Sequence, residues 1–440
     1  METMSYAHFA EKAGTFAERL FDAIHQLSAD PVAGVTRQGY SDTESKVLAR
    51  LTEFGAELGM SAETDAAGNV WLTLPGQNRS LPAFVIGSHA DSVPQGGHYD
   101  GLAGIVAGFL VVHYLKENNF KMDRDVRILM MRCEESSFFG KAYVGSLGMM
   151  GRLTADDLSL KHRTLDRTLD DFMKDVGVDT SRLTTGKPVI DISRIGAFVE
   201  LHIEQGPMLD GLLPARCGVV TGIRGNIRHK VVKCHGQTAH SGALNKEFRH
   251  DAVMATAALI SRMEVEWQKF LDAGRDLVFT IGVLNTAPTA AISVIPGLTS
   301  FTVDMRSLDN GTVKEFHELL LRVAKEEAEK RGVTFEFDRT IVSEAGHVNV
   351  ELSDRLMKAA EKGNIPCVRI PSGAGHDTAV LSRAGIPCAM IFVANQNGSH
   401  NPHEALKMDD LLQGCFVLLH AFLMSANNHG TQTFNRRTDR

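Results

Sequence analysis

Apolar positions along the chain follow two periods. Val47, Leu48 and Leu51 fall on one helical face behind Ser41 and Glu44, which stand at capping-box spacing, so a helix is expected to start there. Residues 69–74 (Asn-Val-Trp-Leu-Thr-Leu) read as a strand ended by Pro75-Gly76. Short apolar runs at 83–86 and 126–131 predict buried strands, and residues 104–115 predict a buried helix between them. Strands alternating with helices indicate an α/β fold built on a mainly parallel sheet. Polar clusters follow the C-terminal ends of two of these strands, the edge at which open α/β sheets hold ligands.

Near residue 218 the pattern becomes strand-rich, with runs at 230–233, 277–281 and 298–305 and helical stretches at about 251–274 and 313–331. This predicts a smaller α+β domain inserted into the larger one. The α/β alternation is expected to resume near Ile341, with a helix at 356–362, a strand at 388–393 and a helix at 409–424. The expected organisation is a discontinuous larger domain at 1–216 and 336–426, an insert at 217–335, and a polar, frayed tail at 427–440.

Composition narrows the function classes. Of the 440 residues, 43% are apolar and 22% charged, which suits a globular chain and excludes long disorder. The net charge of −7 withholds the basic footprint that nucleic acids and anionic membranes require. The longest apolar stretch, 105–115, is broken by His113 and is far short of the ~20 residues of a membrane span. Residues 1–19 lack the apolar core of a signal peptide. The six cysteines form no C-x-x-C pair and read as reduced thiols of a cytoplasmic protein.

Five short clusters carry metal-type ligands: Gly87-Ser-His89-Ala-Asp91, Gly96-Gly-His-Tyr-Asp100-Gly101, Glu134-Glu135, His202-Ile-Glu204-Gln205-Gly206 and Gly398-Ser-His400-Asn-Pro402. Imidazole and carboxylate without thiolate suit zinc, manganese, cobalt or nickel. Asp91, two residues after His89, is placed to accept the second imidazole N–H and orient the ring. Glycines around Asp100 let a carboxylate point into a crowded site. A carboxylate bridging two cations holds them ~3.5–4 Å apart, the separation used in two-metal hydrolysis. The paired glutamates allow one to ligate while the other moves protons. With 18 histidines in the chain, no single one carries this reading; the joint pattern does.

The motifs Gly-Ser-His-x-Asp-Ser-Val (87–93), Gly-x-Tyr-Asp-Gly-x-x-Gly (97–104), Glu-Glu (134–135), His-Ile-Glu-Gln-Gly (202–206), Ser-Gly-Ala-Gly-His-Asp (372–377) and Ser-His-Asn-Pro-x-Glu (399–404) resemble those of the amidohydrolase/hydantoinase/carbamoylase family. That family holds N-carbamoyl-L-amino-acid hydrolases, β-ureidopropionases and allantoate amidohydrolases, within the two-metal aminoacylase and carboxypeptidase clan. The resemblance runs from about Arg37 to about Met424. It implies two divalent ions per subunit, zinc first, with Asp100 bridging, His89 and His202 completing one site, and Glu135 and His400 the other. It further implies Glu134 as general base and acid, with Asp91 orienting a ligand histidine. The insert is implied to mediate homodimerisation and to carry groups into the partner's active site: His240, which would polarise the scissile carbonyl, and Arg306, which would clamp the substrate carboxylate. Gln205, Gly375 and His376 match other substrate-contacting positions.

The chain departs from the family pattern where substrate is implied to bind. Ser293 replaces an asparagine before Val-Ile-Pro-Gly297, Ser136-Ser-Phe138-Phe139 replaces Gly-Ser-Arg-Phe, and Ala243-Leu-Asn-Lys246 replaces Thr-Thr-Pro-Met. The leading expectation is therefore a cytoplasmic, homodimeric two-metal amidohydrolase of a small N-carbamoyl or ureido acid bearing a carboxylate. An N-acyl amino acid amidohydrolase is the alternative, with an inactive binding relative third. Neither nucleic acid nor membrane is an expected partner.

Overall fold

The computed structural model describes residues 5–426; the tail expected at 427–440 lies outside the described residues. Two compact units form, one ending at Thr221 and resuming at His347, the other spanning Gly222–Gly346. The first unit is built on an eight-stranded sheet in the order Ser61–Thr64, Val70–Leu74, Val126–Met131, Ala83–His89, Ile195–Ile203, Cys388–Val393, Cys217–Ile223, Cys367–Ser372. The four strands from Val126–Met131 to Cys388–Val393 are mutually parallel, and antiparallel pairs flank them. This is the expected α/β class, with four parallel strands at the sheet's centre.

Burial on both faces explains the apolar runs. Along Ala83–His89, Phe84 and Ile86 join one core while Val85 joins the other, and along Val126–Met131 the residues divide in the same alternation. The first face is covered by the helices Tyr6–Ser28, Asp42–Glu57, Leu102–Glu117, Val350–Lys362 and Met408–Ala426. Leu102–Glu117 is buried along almost its whole length, so it shows no polar stripe. The opposite face packs against Val144–Met149, Leu169–Asp175 and Asp377–Arg383. Among the described residues, no helix is long and apolar enough to cross a membrane.

Ser41 caps Asp42–Glu57 by accepting the Glu44 N–H at 3.2 Å. The reciprocal half of the expected capping box does not form. Glu44 is fully buried and instead accepts from the Tyr40 N–H (2.7 Å), the Cys133 N–H (3.1 Å) and the Arg132 guanidinium (2.6 Å). It therefore anchors the turn that leads into Glu134.

The second unit holds an antiparallel sheet ordered Leu284–Thr286, Leu298–Ser307, Gly225–His235, Thr334–Phe337, with Val278–Thr280 and Ile341–Ser343 paired to its central strands. Ala252–Asp272 and Asn310–Arg331 pack their apolar faces on it. Its limits differ from the expected 217–335. Cys217–Ile223 pairs with Cys388–Val393 in the large sheet, whereas Ile341–Ser343, read as the resumption of the α/β pattern, pairs with Gly225–His235.

Candidate active site

The parallel strands end along one edge, and four of the five ligand clusters lie at those ends. His89 closes Ala83–His89, Glu134 and Glu135 follow Val126–Met131, His202 is the penultimate residue of Ile195–Ile203, and His400 lies in the loop after Cys388–Val393. Asp100 precedes the buried helix Leu102–Glu117. Gly101 between them adopts φ +69°, and a Cβ there would lie 2.5 Å from the His89 ring, so only glycine lets the helix start this close to the histidine.

Asp100 sits between two groups of candidate ligands. On one side are His89 and His202, whose Nε2 atoms lie 3.4 and 3.2 Å from Asp100 Oδ1 and 3.5 Å from each other. On the other are Glu135 and His400, with His400 Nε2 2.9 Å from Glu135 Oε1 and 3.5 Å from Asp100 Oδ2. Within each group the ligand atoms fall within 4.8 Å of one another. All are buried except His400, whose side chain is half exposed.

These residues fit divalent cations on chemical grounds. His202 Nδ1 contacts the Ile203 carbonyl at 2.8 Å and His89 Nδ1 the Asp91 carbonyl at 3.2 Å. Each contact demands a proton on Nδ1 and leaves the Nε2 lone pair facing inward. Two lone pairs then meet Asp100 Oδ1, a buried oxygen that no hydrogen bond reaches among the described residues. Three acceptors converging without a hydrogen call for a positive charge. Without a cation a proton takes its place at Nε2, and the same geometry sets how tightly that proton is held. Burial opposes charge on His89, but Asp100 and Asp91 outweigh it and hold the imidazole well above its usual range. Burial likewise opposes charge on Asp100, and His202 and His89 override it, holding the carboxyl well below the ordinary range. His400 is raised to about 9 by its bond to Glu135.

Glu134 belongs to neither group of ligands. Burial, reinforced by Glu135, Asp377 and Asp91, pushes its carboxyl well up against the pull of His89, the tuning expected of a proton shuttle. Asp91 holds both glutamates by their backbone: its Oδ1 accepts the Glu134 N–H at 2.9 Å and its Oδ2 the Glu135 N–H at 3.0 Å. Its Oδ1 also lies 3.4 Å from His89 Nδ1. Cys133, beside Glu134, and the candidates Gln205 and His400 hold positive φ without being glycine; such backbone strain concentrates at functional sites.

The remaining predicted contacts are distributed as follows. Gln205 donates from Nε2 to Asp100 Oδ2 at 2.8 Å, so in this structure it touches the central carboxylate directly. His376 is buried, with its ring 4.5 Å from that of His202, and burial together with His202 keeps it neutral. Gly375 leaves room for the Tyr143 hydroxyl, which would lie 1.8 Å from a Cβ. Phe138 lies in the core, stacked on His162 at 5.7 Å.

His240, Ser293 and Arg306 lie in the second unit. His240 pairs with Val294 across a short antiparallel ribbon, and Ser241 N–H donates to the Ser293 carbonyl at 2.9 Å, so the fold brings His240 and Ser293 together. His240 Nδ1 accepts the Gly242 N–H at 3.1 Å, which puts the imidazole proton on Nε2 and makes that edge a donor. Arg306 forks onto Asp304, Nε to Oδ1 at 3.0 Å and Nη2 to Oδ2 at 2.8 Å. In this structure its guanidinium is therefore engaged by a carboxylate of its own unit.

Sequence reasoning gave no role to Ser399, Glu404, Arg37 or Glu200, although the first two belong to the motif around His400. Glu200 is fully buried, bonded to Ser88 Oγ at 2.8 Å and Thr378 Oγ1 at 2.5 Å. Arg37, also fully buried, donates from Nε to the Ala90 carbonyl at 2.8 Å.

Residues 85–424 match the model of peptidase family M20/M25/M40, and the chain belongs to that family. It is an amidohydrolase, a hydrolase of carbon–nitrogen bonds other than peptide bonds. Among its relatives, N-carbamoyl-L-amino-acid amidohydrolase of Pseudomonas sp. (strain NS671) is 30% identical over 392 residues, 89% of this chain and 93% of that one. Allantoate amidohydrolase of Escherichia coli (strain K12) is 31% identical over 396 residues, 90% of this chain and 94% of that one. A hydantoinase/carbamoylase family amidase from Burkholderia multivorans superposes with a TM-score of 0.84 at 27% identity, covering 94% of this chain and 98% of its own.

Proposed function

We propose that this protein hydrolyses the C–N bond of a small N-carbamoyl amino acid or related ureido acid, using two divalent cations per subunit, zinc first and manganese, cobalt or nickel as alternatives. The observation that carries the reading is the position of Asp100 between His89 and His202 on one side and Glu135 and His400 on the other. Bound there, such cations supply Lewis acidity, polarising a carbonyl and lowering the pKa of water. Glu134 accepts a proton from the attacking water and returns it to the leaving nitrogen. Asp91 fixes the two glutamates by their N–H groups and keeps His89 in one tautomer. His240 presents an Nε2 proton to the oxygen on which negative charge develops, and Arg306 binds the substrate carboxylate. In this proposal the second unit pairs two copies of the chain, and His240 serves the partner's site. Cytoplasmic residence accords with six cysteines that are all free thiols. For a carbamoyl substrate the products are the free amino acid, carbon dioxide and ammonia.

Phe138 favours a second reading. It is packed in the core where the resemblance places an arginine, so that cation is missing. A plain N-acyl amino acid would then be the better substrate. A turnover panel of carbamoyl, formyl and acyl amino acids, with amine and ammonia measured together, separates the two. Equal release of amine and ammonia from carbamoyl substrates supports the first; amine without ammonia, from acyl substrates only, overturns it.

A further inference from the structure

We propose that Glu404, acting through Ser399, is a positioning residue that locks the Asp100 loop to the His400 loop and so builds the cation site shared by Asp100, Glu135 and His400. The inference rests on the proposed cation-binding role of those three residues. Glu404 is buried, and its Oε1 accepts two backbone N–H groups from the Asp100 loop, Tyr99 at 2.8 Å and Asp100 at 3.1 Å. Its Oε2 lies 2.6 Å from Ser399 Oγ and Asp100 Oδ2 lies 2.5 Å from the same hydroxyl, whose single proton is shared between the two carboxylates. One carboxylate therefore grips Asp100 by its main chain and, through Ser399, by its side chain. Ser399 is the residue before His400, so the same clamp sets the histidine's backbone.

Three features show that the contact is built in. A Cβ on Gly97 would lie 2.0 Å from Glu404 Cδ, so the loop admits the carboxylate only because glycine stands there. The His400 loop is closed at its base by paired backbone bonds between Gln396 and Ala405, at 2.8 and 3.1 Å. Asn401 braces it from inside by donating to the Asn397 and Ser399 carbonyls. The half-exposed His400 side chain has little packing of its own, unlike His89 and His202 on buried strand ends. Its place beside Asp100 and Glu135 is thus set by the loop, and the loop is tied to Asp100 by Glu404.

The test is titration of the metal-free protein with manganese(II), followed by electron paramagnetic resonance and calorimetry, with the melting temperature of each metal-free variant recorded. Wild type is expected to bind two ions. Glu404→Ala is expected to weaken one of the two steps by about 10–100-fold, the size typical of losing a partner that orients a ligand, and the other, which shares Asp100 but not the His400 loop, by less. Glu404→Gln restores most of the loss, because its amide oxygen still accepts the two N–H groups and its amide nitrogen donates to Ser399. Ser399→Ala keeps the buried N–H groups satisfied, so it leaves the melting temperature near that of wild type while still weakening the same step. If Glu404→Ala fails to fold, Ser399→Ala decides. Wild-type affinities for both ions in Ser399→Ala, or equal weakening of both steps, overturn the clamp. Absence of binding in wild type overturns instead the cation-site reading on which it rests.

Discussion

Replacing Asp91 tests whether the paired glutamates are held as the structure indicates. Its carboxylate is buried and accepts two buried N–H groups, from Glu134 at 2.9 Å and Glu135 at 3.0 Å. In Asp91→Ala both donors lose their acceptor. An orphaned buried donor costs about 1–3 kcal/mol, so the pair sums to roughly 2–6 kcal/mol. Removing one negative charge from a cluster that also holds Glu134 and Glu135 relieves some repulsion, which places the expected loss toward the lower end. Asp91→Asn keeps one carbonyl oxygen and opposes the other N–H with an amide, so it should lose about half as much. Both variants let Glu134 drift, and a misplacement near 1 Å costs about 100-fold in turnover. Denaturant unfolding of the metal-free proteins reads the stability, and kcat on the best substrate reads the positioning. Stability within about 0.5 kcal/mol of wild type in Asp91→Ala, the range of neutral surface changes, would refute the account, as would unchanged kcat.

Three further outcomes are expected. Glu134→Gln lowers kcat by about 10²–10⁴-fold yet leaves cation stoichiometry intact, since Glu134 stands outside both groups of ligands; steady-state kinetics with elemental analysis checks both halves. Gly101→Ala forces a Cβ 2.5 Å from the His89 ring at φ +69° and should weaken cation binding and lower the melting temperature, with the strained γ-turn backbone (ψ −51°) alone costing about 1–3 kcal/mol. The His400–Glu135 pair, with His400 raised to about 9 from 6.5, stabilises the metal-free protein fully below pH 6.5, and that contribution is lost as pH rises through about 9. Because a cation must displace this proton, affinity at that site should climb across the same interval, and titrations in His400→Ala should lose that part of the slope.

Much of the fold is legible in the chain because one-sided burial leaves a periodic stripe and two-sided burial an unbroken apolar run. The strand Val126–Met131 and the helices Ala252–Asp272 and Asn310–Arg331 fall where their patterns place them. The central strand Ile195–Ile203 is harder to see, since Glu200 and His202 interrupt its apolar run; both are buried and bonded inside the protein, which a hydropathy pattern cannot register. Tyr6–Ser28 buries Ala13 and Ala17 among larger residues, and small side chains at core positions weaken a helical stripe. The ligand residues are visible as motifs, but the bond between Glu404 and the Asp100 N–H spans 304 residues of sequence, and only the folded sheet edge brings them together.

The central claim is that this sheet edge cages two cations around Asp100. A crystal structure of the protein soaked in manganese(II), with an anomalous difference map, tests it directly. The account predicts two peaks flanking Asp100, one in contact with His89 and His202, the other with Glu135 and His400. A single peak, or peaks that do not touch Asp100, would contradict it.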